Sequence, residues 1–147
     1  MKPKEIDVSD NHKPAMAAAV FYDDAPAAID WLNEAFGFEV MLKVEGAPGK
    51  IAHSELDVFG SMLMVASADC KPMRKSPRSI GGVNTQTLAI SVGDVDAHFE
   101  RARKVGAKII QQPTTNDYGD DYGILRGYEA EDPEGHRWYF SQKLTRS

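Results

Sequence analysis

Cysteine is almost absent from this chain. Cys70 is the single cysteine in 147 residues, so no intrachain disulfide can form, and a reducing compartment, the cytoplasm, is the expected setting. Long apolar runs are lacking too. No stretch approaches the roughly 20 residues that cross a bilayer, and no basic start leads into an apolar segment, so neither a membrane span nor a signal peptide is expected. Positive charge is in deficit, with 17 Lys and Arg against 22 Asp and Glu, which argues against a nucleic-acid partner. Gly81-Gly82 lacks the Lys-Ser/Thr that would follow in a phosphate-cradling loop. No Cys/His cluster has zinc spacing, and no basic amphipathic helix suggests a membrane surface. What remains is a 42% hydrophobic, 27% charged chain, ordinary for one globular domain.

The most ordered stretch lies at the end. Asp132-Pro133-Glu134-Gly135 reads as a tight turn: Asp accepts from the turn backbone, Pro presets φ and Gly tolerates a left-handed exit. Arg137 to Gln142 then alternates, with Trp138 and Phe140 on one side and Arg137, Tyr139 and Ser141 on the other. Period two of this kind is a strand with one buried face.

Upstream, residues 1–14 are polar and read as a loose arm. Ala15 to Tyr22 reads as a strand of small residues. Asp23 or Asp24 caps a helix with Pro26 in its first turn. Its inner stripe is Ala28, Ile29, Leu32, Ala35 and Phe36, with Trp31 beside it, and Gly37 ends it. Strands follow at 38–44, 51–58 and 61–66. Residues 67–84 hold Pro72, Pro77, Gly81 and Gly82 with Lys71, Arg74, Lys75 and Arg78. This segment reads as a solvated crossover, or as a loop folding over an anionic ligand. A strand at 85–92 leads to a helix capped by Asp94, with Val95, Phe99 and Ala102 inward, and Gly106 stops it. A strand at 107–111, a polar loop at 113–122 and a strand at 123–131 complete the chain.

This order is an internal repeat. Each half reads strand, Asp-capped helix, Gly stop and three strands. The expected fold is α+β: two βαβββ modules, about 15–66 and 85–142, joined by the linker 67–84 into one domain. They form a concave mixed β-sheet with helices outside, because neither half can bury its sheet alone.

Several residues are candidates for chemistry. On the strand 51–58, Ala52, Leu56 and Val58 share one phase and His53, Glu55 and Asp57 the other. His53 and Glu55 are either an acid–base or ion-binding pair, hence candidate catalytic residues, or a structural ladder. Phe21, Tyr118, Tyr122 and Tyr139 can supply aromatic walls for a flat, partly apolar molecule. His136 reads as a turn organiser and His98 as a surface residue; His12, in the arm, is given no role. Basic neighbours can activate Cys70, but no partner base accompanies it.

The doubled βαβββ pattern, the segment Ala-Ala-Ile-Asp-Trp-Leu-x-x-Ala-Phe-Gly-Phe, and Tyr118-Gly119-Asp120 followed by Asp-Pro-Glu-Gly-His-x-Trp-x-Phe resemble the vicinal oxygen chelate superfamily. That group contains glyoxalase I, bleomycin-resistance proteins and extradiol dioxygenases, and the nearest branch is one of uncharacterised bacterial proteins. The resemblance implies a homodimer, in some relatives built by exchanging modules. It also implies metal-ligand positions at about Ala17, Met64, Thr87 and Tyr139. None of these is a good ligand for a divalent ion, and Gln86 is out of register. Metal-free relatives that sequester a drug are therefore the better comparison, and no cofactor is expected. The expected function is metal-independent binding of a small, partly aromatic or antibiotic-like molecule, with Phe21, Thr87, Tyr118, Tyr122 and Tyr139 as ligand-binding residues. The alternative is a divalent-metal-dependent lyase or isomerase, or a dioxygenase, with a divergent site around His53 and Glu55.

Overall fold

The computed structural model describes residues 14–68 and 71–146. The arm through residue 13, with His12, and Cys70 lie outside the described residues. The first module runs β1 (Ala18–Tyr22), α1 (Ala25–Phe36), β2 (Glu39–Glu45), β3 (Ile51–Val58) and β4 (Ser61–Ser67). The second runs β5 (Leu88–Ser91), α2 (Val95–Val105), β6 (Lys108–Asp117), β7 (Ile124–Glu131) and β8 (Arg137–Leu144). Each module makes its own four-stranded mixed sheet, in the orders β1-β4-β3-β2 and β5-β8-β7-β6. The first strand of each is parallel to the last, and the other pairings are antiparallel.

Both helices obey their termini. Asp24 and Asp94 accept from Ala27 N and Ala97 N, satisfying donors that each first turn leaves free. Gly37 and Gly106 sit at φ 78° and 105°, where a side chain would strain the left-handed exit. The expected stripes face inward: Ile29, Leu32, Ala35 and Phe36 on α1, and Val95, Phe99 and Ala102 on α2, are buried.

The modules meet through these helices. Phe36 packs edge-on to Trp138 at 5.8 Å and against Phe140 at 4.7 Å, and Phe38 meets Trp138 at 5.6 Å. One hydrophobic cluster therefore spans both modules. Arg101 on α2 donates to the carbonyl oxygens of Glu34 and Asn33 at the end of α1.

His98 is not a surface residue. Its Nε2 donates to Phe36 O at 2.9 Å, which fixes the neutral tautomer and leaves Nδ1 to accept from the Tyr128 hydroxyl at 2.6 Å. The ring also lies 4.2 Å from that of Phe140. Burial pushes the imidazole below its ordinary value of 6.5. The unfolded chain then takes up this proton first as pH falls. Stability against urea is expected to be level with respect to His98 above 6.5 and to decline below it, and His98→Gln is expected to flatten that slope. An unchanged slope in the variant would contradict the assignment.

Two other segments differ from the sequence reading. β6 continues through Pro113 to Asp117, where a loop was expected. It is an edge strand, and Pro113 falls in the register shift between Gln111 and Thr114, so no ladder hydrogen bond is lost. The linker is also not a solvated crossover throughout. Ser76 and Pro77 are buried, a single 3-10 turn covers Pro77–Ile80, and Asn84 bonds Gly135 O and Arg137 N.

The final turn explains this docking. Glu134 accepts from the backbone N–H groups of Asp23 and Asp24 and from Ser76 Oγ, at 2.6–2.9 Å. Asp132 accepts from Tyr22 Oη and Trp138 Nε1, and from the backbone of Glu134 and His136. Burial pushes the Asp132 carboxyl up, against the pull of these donors. His136 Nε2 donates to Phe21 O at 2.8 Å, so its side chain ties the turn to β1, while Asp132 organises the turn itself. The turn thereby clamps β1, the start of α1 and the linker to the second module.

Candidate functional site

The alternation that buries one face of each sheet leaves the opposite, concave face open. Register places Ala19, Met64 and Glu55 in a row across the first sheet. It places Ala89, Tyr139 and Glu129 in the corresponding row of the second. The two rows show the repeat at the level of single side chains.

On the second concave face Tyr118, Tyr122 and Tyr139 come together. With Gln111, Asn116 and Leu125 they line a concavity of about 520 Å³. Tyr118 and Tyr122 meet edge-on at 5.6 Å and remain 53% and 61% exposed. The hairpin that carries them is fixed from below. Asp117 accepts from Arg146 through both carboxylate oxygens at 2.7 Å and from Gly119 N at 2.9 Å. Those partners, Arg146 first, hold its carboxyl down at about 2. Tyr139 lies along the sheet over Gly127, where an added Cβ would fall 2.7 Å from the Tyr139 ring carbon Cζ. Partial burial, then the nearby Tyr118, Tyr122 and Glu129, raise the Tyr139 phenol above its ordinary range, so it stays a neutral donor.

The other expected residues stand apart from this concavity. Thr87 lies one residue before β5, beside Gln86, Glu129 and Arg137. Phe21 is on the first sheet, with the Arg74 guanidinium 4.9 Å from its ring centre. His53 and Glu55 do pair, Nε2 to Oε2 at 3.0 Å, with side chains 41% and 16% exposed. Gln111, Asn116, Leu125 and Arg74 received no individual role from sequence. Gln111 ended the expected strand at 107–111, and Asn116 belongs to the part of β6 past Pro113 that was hidden.

The residues at the positions that the superfamily resemblance implies do not fit a divalent metal. Those positions fall at about Ala17, Met64, Thr87 and Tyr139, and a methyl group, a thioether and two neutral hydroxyls are a poor donor set. Among the described residues, no group of three His, Cys, Asp or Glu side chains converges in a way that could hold an ion.

Comparison with known proteins decides the family. The sequence profile of the Glyoxalase/Bleomycin resistance protein/Dioxygenase superfamily matches residues 16–140. The chain belongs to this superfamily. An uncharacterised protein of Mycobacterium bovis is 33% identical over 137 residues, spanning 91% of this chain and 86% of its own. The crystal structure of TioX from Micromonospora sp. ML1 is 36% identical and superposes with a TM-score of 0.68, over 88% of this chain and 98% of TioX. A superfamily protein from Alicyclobacillus acidocaldarius, at 16% identity and TM-score 0.63, covers 92% of this chain and 95% of its own, and shares the fold alone. No helix among the described residues is long and apolar enough to cross a membrane.

Proposed function

We propose that this superfamily member binds and holds a small, flat, partly aromatic molecule on its concave surface, without a metal. The observation that carries the reading is the meeting of Tyr118, Tyr122 and Tyr139 around one concavity with Gln111 and Asn116. Aromatic walls supply area and offset stacking, and two amide side chains orient a polar edge. The donor set at the implied metal positions supports the metal-independent form. Bleomycin resistance, named in the superfamily description, makes an antibiotic-like ligand the class to examine. The reading includes a homodimer in the cytoplasm. The exposed Val40, Met41, Leu42 and Val44 of the edge strand β2 are apolar surface that a second copy of the chain would cover.

The second reading is an enzyme of the glyoxalase or dioxygenase type, and the 3.0 Å pairing of His53 with Glu55 favours it. Titration of chelator-treated protein with naphthamide, a neutral bicyclic aromatic amide, separates the two. Micromolar binding is expected, and Tyr139→Ala is expected to weaken it about tenfold, the loss of one stacked ring and its hydroxyl. Equal binding by wild type and variant would remove the aromatic site.

A further inference from the structure

Of the chain's 12 glycines, all among the described residues, Gly127 alone lies inside a strand, β7. A glycine there weakens the strand and marks a place where something approaches the backbone closely. Its conformation does not call for glycine, because Gly127 is not one of the glycines at positive φ. Nor does its place in the repeat. In the first sheet the position two residues before Glu55 is His53, and in the second the position two before Glu129 is Gly127. The rows Ala19–Met64–Glu55 and Ala89–Tyr139–Glu129 correspond. One sheet therefore carries an imidazole where the other carries no side chain.

What approaches is Tyr139. Gly127 pairs with Ser141 on β8, which makes Tyr139 its diagonal neighbour, within reach of an aromatic side chain. A Cβ on Gly127 would fall 2.7 Å from Tyr139 Cζ and closer still to the hydroxyl, whereas carbons attract only near about 3.5–4.0 Å. The Phe140 carbonyl oxygen, at 2.9 Å, is the other near neighbour. Gly127 is buried although it belongs to the open concave face, and the tyrosine lies over it. A side chain at 127 would drive the Tyr139 ring up into the concavity of about 520 Å³ that it lines with Tyr118, Tyr122, Gln111 and Asn116.

We propose that Gly127 is a positioning residue of the tyrosine concavity: the missing side chain lets Tyr139 lie down on the sheet as a floor and keeps the space above it open for a flat ligand. This rests on the binding reading above and adds the residue that shapes its site. Gly127 acts through Tyr139 and needs no contact with the ligand. Even a methyl group at 127 turns the floor into an obstruction, because a packed ring cannot absorb an overlap of this size without moving.

The test is a double-mutant cycle on the full chain, read by naphthamide titration and by urea unfolding. Gly127→Ala is expected to weaken naphthamide binding about tenfold, as Tyr139→Ala does. Gly127→Ala combined with Tyr139→Ala is expected to bind within about twofold of Tyr139→Ala alone, because the ring that the methyl displaces is gone. Gly127→Ala is also expected to lower the urea midpoint more in the wild-type background than in Tyr139→Ala. If Gly127→Ala alone does not fold, the double variant decides: a folded protein with the affinity of Tyr139→Ala supports the assignment, and an unfolded one overturns it and assigns the glycine to the Phe140 carbonyl. Wild-type affinity in Gly127→Ala, or a further tenfold loss in the double variant, overturns the assignment while the binding reading stands. Wild type that does not bind naphthamide, or Tyr139→Ala that binds it equally, overturns the binding reading and the assignment with it.

Discussion

Glu134→Ala is expected to cost about 3–5 kcal/mol of folding stability, or roughly 10 °C in Tm. Glu134 is 4% exposed, and its two oxygens take three donors: Asp23 N, Asp24 N and Ser76 Oγ. Truncation leaves two backbone N–H groups and a hydroxyl without this partner at the base of α1. Each such loss is worth about 1–3 kcal/mol. Arg78, at 3.6 Å and half exposed, loses little by comparison, because solvent screens it. Glu134→Gln keeps one acceptor and is expected to lose less than alanine. Urea unfolding of the three proteins measures this, and a loss below about 1 kcal/mol for alanine would show that the turn is not the clamp between modules.

Phe36→Ala is expected to cost about 3–5 kcal/mol, the usual range for deleting a buried ring. Phe36 is fully buried, ends α1 of the first module, and touches Trp138, Phe140 and His98 of the second. The cavity would open between modules, not within one. The two tryptophans are placed to report this, with Trp31 in the first module and Trp138 in the second. Single-tryptophan versions of the wild type are expected to unfold at one shared urea midpoint, and Phe36→Ala to lower both together. Separate midpoints would mean that the modules fold independently and that the aromatic cluster is a contact, not a common core.

The architecture was legible where local chemistry and periodicity agree. Asp24, Pro26 and Gly37 mark α1, Asp94 and Gly106 mark α2, and the alternation of Trp138 to Ser141 assigns β8 its two faces. That alternation also sends Tyr139 to the concave side. Long-range polar contacts were not legible. Glu134 and Asp23 are 111 residues apart, and nothing in Asp-Pro-Glu-Gly says that its glutamate satisfies another module's helix start. His98 misled because its neighbours in sequence are charged, while its neighbours in space are Phe36, Tyr128 and Phe140. Pro113 hid half of β6, and with it Asn116, because a proline breaks a central strand but not the bulge of an edge strand. Tyr118, Tyr122 and Tyr139 were grouped from sequence, and the structure brings them to one concavity. Phe21 was assigned to the same wall, but the structure places it on the other sheet, under an arginine.

The central claim is binding by aromatic contact without a metal. Its most direct test is calorimetric titration of naphthamide into untagged protein before and after chelator treatment, with elemental analysis of both samples. The account predicts the same micromolar affinity in both, with no divalent ion near one per chain in either. Close to one ion per chain, with naphthamide affinity falling on its removal and with His53→Ala or Glu55→Ala abolishing retention of the ion, would contradict it and transfer the site to the His53–Glu55 face.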